Sequence, residues 1–266
     1  MSIKDHMGSP DRFGYEWARY SEILPESRLQ LQRWFGSTGL HTCAGKSVMD
    51  VGCGMGRNPY WMLKAGAKEL LAVDADDNSL AAAQKNLAEF DQARVQKCSV
   101  YNLNPKEQGT FERVTCIGVL HHLEHPELAL QKLWSCVKPG GDLILWCYAL
   151  EGNRGLLPLI QLLRSIGARA PLWLTHALAK AITLVAWPLI LWWPWRNEYY
   201  KRLKVLSFKN VESIIFDQIL PKIANYWTKE DMQRLTSGLS GADVFLEFVQ
   251  GNSWHVRALK HEVSVE

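Results

Sequence analysis

From Lys46 to Tyr148 short apolar runs alternate with segments of helical period, and few architectures accommodate that order. SVMDV, ELLAVD, ARVQKCS, FERVTCIGV and DLILWCY read as strands, and NPYWMLKAGA, NSLAAAQKNLAEF and PELALQKLWSCV as helices, with KPGG the turn before the fifth strand. Strands joined through helices form parallel sheets covered on both faces, so the expectation is an α/β fold. The alternation stops after Tyr148. Residues 151–225 read as helical, aromatic and basic, with Pro158, Pro171, Pro188 and Pro194 breaking the helices into short pieces. A helix near Thr228, whose Thr-Lys-Glu-Asp opening suits a cap, precedes ADVFLEFVQ and SWHVRALK. Joined at Gly251 and Asn252, those two runs read as an antiparallel hairpin at the sheet edge.

The sharpest chemical signal is VMDVGCGMGRN, residues 48–58: a buried strand, Asp50, then Gly52, Cys53, Gly54 and Gly56 leading into a helix. Glycines let the backbone turn tightly and approach a ligand, and the helix behind them presents free amides. A dinucleotide-binding turn is the competing reading, but the spacing is G-x-G-x-G rather than G-x-G-x-x-G. Asp50 inside the strand suits an ammonium group, not a pyrophosphate. Asp74, closing the second strand, suits ribose hydroxyls in either class.

With these motifs in order, the chain resembles the class I S-adenosylmethionine-dependent methyltransferases over Lys46–Tyr148: DVGCGMG looks like the family's first motif, AVDAD its second-strand end, IGVLHHLEHP its fourth-strand end and VKPGGDLIL its fifth strand. The resemblance implies a Rossmann-like, mostly parallel seven-stranded sheet with a reversed last strand, S-adenosylmethionine as cofactor and S-adenosylhomocysteine as product. It places Asp50 and the glycines at the methionine end, Asp74 on the ribose and Ala75 beside the adenine, with Ser99, Val100 and Ile117 lining the same cleft. Many relatives carry Asp after the third strand to bind the adenine amino group. Here KCSVYN offers Ser99, a neutral and weaker acceptor.

His121 and His122 follow the fourth strand at the carboxyl edge, where open α/β sheets keep their ligands. One imidazole as general base and the pair as pocket-shaping groups are both open readings. His125 is expected to cap the next helix or face solvent. The stretch DRFGYEWARYSEI gathers Phe13, Tyr15, Trp17 and Tyr20, and resembles the flap that bacterial methyltransferases fold over the cofactor. An amphipathic helix pinned by Trp17 is the other open reading; as a flap, Tyr15, Trp17 and Tyr20 are expected to touch cofactor or substrate, Tyr15 on the catalytic side. Asp217, Tyr226 and Trp227 lie where the insertion returns to the core, in a segment similar to those of polysaccharide- and natural-product-cluster methyltransferases; for Trp227 packing is the favoured role.

These readings divide the 266 residues into an N-terminal flap (1–45), a cofactor-binding core (46–150), a Trp-rich helical cap (151–225) and the end of the core (226–266). Lys plus Arg number 30 against 27 Asp plus Glu, too even a balance for nucleic acid. The six cysteines show no paired metal-ligand spacing and read as reduced. The N-terminus has no signal-like apolar stretch, which makes the cytoplasm the expected compartment.

LVAWPLILWWPWR, residues 184–196, belongs to the cap. Ala181–Trp195 carries no charge, but the run is shorter than the roughly 20 residues a span needs and contains two prolines. Arg196, Lys201, Arg202, Lys204 and Lys209 follow against the single acid Glu198. The expectation is a cap walling an apolar pocket, with a cap that also makes peripheral membrane contact through residues 181–209, and plain core or an oligomer contact, as the other readings. The acceptor is then small or lipid-like and partly hydrophobic, with O-methylation preferred. C- or N-methylation of a small molecule or glycan, or a non-catalytic cofactor-binding module, is the alternative.

Overall fold

A computed structural model describes residues 10–192, 203–204 and 206–262. Seven strands form one sheet in the order β3-β2-β1-β4-β5-β7-β6: β1 Ser47–Val51, β2 Glu69–Asp74, β3 Ala93–Lys97, β4 Phe111–Ile117, β5 Val137–Tyr148, β6 Ala242–Val249 and β7 Ser253–Lys260. β1 to β5 pair in parallel. β7 runs antiparallel to both β5 and β6, so the last strand in sequence is the reversed one.

Alternation along β1 sends successive side chains to opposite faces. Met49 and Val51 join Leu71, Val114, Leu145 and Trp254 in one core, while Val48 joins Leu70, Ala72, Ile144 and Trp146 in the other. The second face is covered by α2 Glu26–Trp34, α3 Arg57–Lys64 and α4 Asp77–Leu87, and the first by α6 Pro126–Ser135 and α10 Lys229–Thr236; a short α5 spans Pro105–Gln108. Thr228 caps α10 with Asp231 as a reciprocal capping box. Arg113 on β4 donates to both oxygens of Asp142 on β5, each at 2.7 Å and fully buried, and Arg257 on β7 adds a third bond at 3.0 Å. Three strands are thus tied by one carboxylate.

KPGG, expected as a separate turn, lies within β5. Phe111 pairs with Val137 and Arg113 with Asp142, so extra residues are absorbed as a bulge while Gly140 takes φ +74. The closing hairpin turns through residues 250–252, and Gln250 shares the left-handed conformation with Gly251.

Between β5 and α10 stand α7 Leu157–Gly167, α8 Leu172–Trp192 and α9 Phe208–Ile219. Pro158 and Pro171 mark helix starts, but Pro188 sits inside α8, which continues through it. The expectation of short pieces is corrected here: an exposed proline forfeits one backbone bond, at about 3 kcal/mol, and packing of the opposite face on α9 holds the helix. At 21 residues, with an 18-residue stretch of mean hydropathy 1.6, α8 is long and apolar enough to cross a membrane by length and composition. Trp193, Pro194, Trp195, Arg196, Glu198, Lys201 and Arg202 lie outside the described residues.

The N-terminal helix α1, Pro10–Arg19, is fastened to this cap by Arg12. Its guanidinium donates to the carbonyls of Leu220 (2.8 Å), Gly167 (2.7 Å) and Ala170 (3.3 Å) and to the Thr175 hydroxyl (3.2 Å). The carbonyls at the end of α7 are satisfied this way.

Candidate active site

β1 ends at the glycine turn. The amides of Gly52 and Cys53 both donate to the Val73 carbonyl, at 2.8 and 3.0 Å, fastening the turn to β2. Gly52 has φ +75, and a Cβ there would meet Val119 Cγ2 at 2.3 Å. The Gly54 amide donates to Asp74 Oδ2 at 2.9 Å, while Asp74 Oδ1 accepts from the Asp76 amide at 3.0 Å. Asp74 thereby joins the end of β2 to the turn, with Ala75 beside it. Burial raises its carboxyl, against these backbone donors.

Asp50 lies beneath the turn, 1% exposed. Its Oδ1 accepts the Thr115 hydroxyl at 2.5 Å, and its Oδ2 is buried without a partner among the described residues. Desolvation pushes this carboxyl up to about 7, opposed by Thr115 and aided by the charge of Asp74. An orphaned carboxylate oxygen under a turn bare of side chains fits a ligand that brings a cation and an extended tail. Ser99 and Val100 are buried after β3, Ser99 Oγ accepting the Tyr101 amide at 3.3 Å, and Ile117 is buried at the end of β4.

α1 lies across the glycine turn and the start of α4. Trp17 reaches the turn, its Nε1 2.9 Å from where a Gly54 Cβ would stand, and the Arg57 guanidinium is 5.4 Å from the Trp17 ring and 5.6 Å from Trp34. Gly14 lets the helix backbone rest on Asp76, the N-cap of α4. The other flap aromatics face the cap or the histidines. Tyr15 packs on Phe216 with centroids 6.2 Å apart, the Tyr20 hydroxyl donates to Glu212 at 3.3 Å, and Phe13 lies 5.0 Å from the His122 ring.

His121 and His122 form the 3-10 turn after β4, with ring centroids 4.2 Å apart. His121 is fully buried against Tyr148 (3.9 Å), and neither ring nitrogen has a partner among the described residues. Burial and then His122 push its pKa well down. His122 Nδ1 is 2.9 Å from the Ile223 carbonyl. A carbonyl only accepts, so Nδ1 carries the proton and Nε2 the lone pair. Burial lowers His122 too, while Asp217 and that carbonyl pull it back up. His125 stands exposed at the N-cap of α6 without a side-chain cap bond.

Above the histidines a polar network joins core to cap. Tyr148 donates to Asp217 Oδ2 (3.0 Å) and receives from Gln218 (3.0 Å), whose carbonyl accepts from Tyr226 (3.1 Å). Arg164 donates to the Tyr226 hydroxyl at 3.1 Å. Trp227 instead packs on the core, bridging to Ala149 and accepting the Trp254 indole at 2.9 Å. Glu16 is buried nearby with Oε2 unpartnered among the described residues, its carboxyl raised well up by burial and then Asp217.

Sequence reasoning missed Arg12, Glu16, Arg57, Tyr148, Arg164 and Gln218. Arg57, next to the glycine motif, and Tyr148, at the carboxyl end of the fifth strand, were signalled by position. Arg12 and Glu16 carried a fainter mark, charges placed among aromatics on one short helix.

Residues 49–145 match a family described as "Methyltransferase domain". The chain is 36% identical over 116 residues to a tRNA U34 carboxymethyltransferase of Methylococcus capsulatus, covering 42% of this chain and 35% of that one. It is 31% identical over 174 residues to a ubiquinone biosynthesis O-methyltransferase of Leptothrix cholodnii, covering 62% and 71%. The chain spans about a third of the length of the first curated relatives it matches. The fold is similar to magnesium protoporphyrin IX methyltransferase from Synechocystis PCC 6803 with bound S-adenosylhomocysteine (TM-score 0.52, 17% identity, 94% and 93% covered). The chain belongs to the class I S-adenosylmethionine-dependent methyltransferases, and S-adenosylmethionine is its cofactor.

Proposed function

We propose that this methyltransferase acts on a hydroxyl oxygen of a small, partly hydrophobic acceptor seated between the carboxyl ends of β4 and β5 and the cap. S-adenosylmethionine, when bound, supplies an already activated methyl group. The protein's task is therefore to position, exclude water and move one proton. Asp50 and the Gly52–Gly56 turn hold the amino-acid tail, Asp74 the ribose, and Ala75, Ser99, Val100 and Ile117 border the adenine. α1 closes over them through Trp17, and Phe13, Tyr15 and Tyr20 bind that lid to the cap.

The observation that carries the oxygen assignment is the fixed tautomer of His122. With Nδ1–H held by Ile223, Nε2 is the base that accepts the acceptor's hydroxyl proton. His121, whose ring nitrogens have no partner among the described residues, and the Tyr148–Asp217 pair orient the same hydroxyl. The even balance of 30 basic and 27 acidic residues supports a small molecule over a nucleic acid. Six unpaired cysteines fit a reducing cytoplasm.

The test incubates the chain with methyl-labelled donor and a panel of alkylated phenols, alkyl alcohols and amines, following S-adenosylhomocysteine release. A hydroxyl acceptor is expected to take the label, and His122→Asn to lower kcat about 100-fold or more without changing S-adenosylhomocysteine affinity. Label on nitrogen or carbon, or full activity in the variant, overturns the reading.

A further inference from the structure

Helix α8 is built inside out. Its buried positions are small or hydroxylic: Thr175, Ala179 and Thr183, with Ile190 the exception. Its large apolar residues face outward, with Trp173 68%, Val185 69% and Trp192 87% exposed, joined by Leu174, Leu184, Leu189 and Leu191. These positions recur every three to four residues, with Ala177, Ala181 and Pro188 exposed between them, and make one stripe. On α7, Leu159, Leu162 and Ile166 form a second outward stripe. Eleven of the fifteen exposed large apolar side chains among the described residues lie between Leu156 and Trp192. Such a concentration marks a docking face, not scattered surface hydrophobes.

Charge identifies the occupant. Residues 152–197 contain no Asp or Glu, whereas Arg154, Arg169 and Lys180 stand exposed beside the stripes. Large apolar groups on a segment whose own charges are all positive complement an anionic lipid surface, where tryptophans settle at headgroup level and basic side chains reach the phosphates. The opposite face of α8 stays in the protein, through the Thr175 bond to Gly167 and the His176–Glu212 contact at 3.2 Å. A helix held along one side and carrying Lys180 on the other lies in the interface and does not cross it.

We propose that the outer faces of α7 and α8 dock this enzyme on the surface of an anionic lipid bilayer. The inference stands apart from the identity of the acceptor, and a membrane-dissolved acceptor would reach the cap from that side.

The experiment floats the full chain with vesicles of phosphatidylcholine alone and of phosphatidylcholine mixed with phosphatidylglycerol, at low and high salt, beside sedimentation of the lipid-free chain. The parent is expected to float with the anionic vesicles, less at high salt and at least tenfold less with phosphatidylcholine alone. Leu184→Asp/Val185→Asp should lose vesicle binding at least tenfold with S-adenosylhomocysteine affinity unchanged, since both side chains are exposed and remote from the cofactor residues. Equal binding to both vesicle types overturns the charge argument. A lipid-free dimer that ignores vesicles, and that the double variant splits, assigns the face to a second copy and overturns the proposal. Flotation without S-adenosylhomocysteine binding would leave docking intact and remove the methyl-transfer reading.

Discussion

Replacing Asp50 with asparagine separates what this carboxyl does for the cofactor from what it does to the fold. Its value, displaced from 3.8 to about 7, means that the folded state holds the proton more tightly than the unfolded chain. The parent therefore has its full stability below the unfolded value and loses it as pH rises through about 7, by about 4 kcal/mol in all. Asparagine keeps an oxygen for the Thr115 hydroxyl but places an amide N–H₂ where Oδ2 had no partner, which costs about 1–3 kcal/mol. The variant should therefore gain on the parent by about 2–3 kcal/mol between about pH 5 and about pH 8. Above about pH 7, where Asp50 is ionised, it should bind S-adenosylhomocysteine about tenfold to a hundredfold more weakly, lacking the charge proposed to meet the ammonium, and the gap should narrow as pH falls and the parent's Asp50 takes up its proton. Urea unfolding at several pH values and calorimetric titration read the two effects separately. A stability difference flat with pH, or unchanged ligand affinity, refutes the reasoning.

Three further perturbations follow from the geometry. Gly52→Ala forces a Cβ to within 2.3 Å of Val119 at φ +75, and should weaken S-adenosylhomocysteine at least tenfold and lower the Tm, both measurable by thermal shift. Arg12→Ala removes the donor shared by four acceptors of the cap. Hydrogen exchange should speed up in α1 and the end of α7 while the sheet stays protected; uniform protection would show that Arg12 does not fasten α1 to α7 and α8. Asp142→Ala leaves the fully buried Arg113 unpaired and should cost about 3–5 kcal/mol in urea unfolding. Burial opposes ionisation of Asp142 but Arg113 outweighs it and holds the carboxyl below its ordinary value. That contribution is present above the unfolded value and is lost as pH falls through the folded one, so the parent's acid-unfolding arm should shrink in the variant, with Glu112 and Asp231, also held below their ordinary values, keeping part of it.

The sheet and the glycine turn after β1 were legible because their signals are local. A buried strand reads as a continuous apolar run, and Gly52 and Gly54 mark backbone positions that side chains would obstruct. The hairpin was readable from two alternating runs and the glycine between them. Pro188 misled, because the rule that proline ends a helix is local whereas the packing that carries α8 through it comes from α9, later in the chain. Arg12 was invisible for the same reason, since its acceptors lie 155 to 208 residues away. The network of Tyr148, Asp217, Gln218 and Tyr226 exists only once the cap folds back on β5. The flap aromatics were found as a group, but Trp17 alone reaches the glycine turn while Tyr15 and Tyr20 pack on α9.

The most direct measurement is a calorimetric titration of the full chain with S-adenosylhomocysteine and, separately, with NAD. One site is expected for the thioether nucleotide, with affinity rising as pH approaches about 7 and Asp50 ionises, and no heat from NAD. Binding of NAD alone, or of neither ligand, would contradict this expectation.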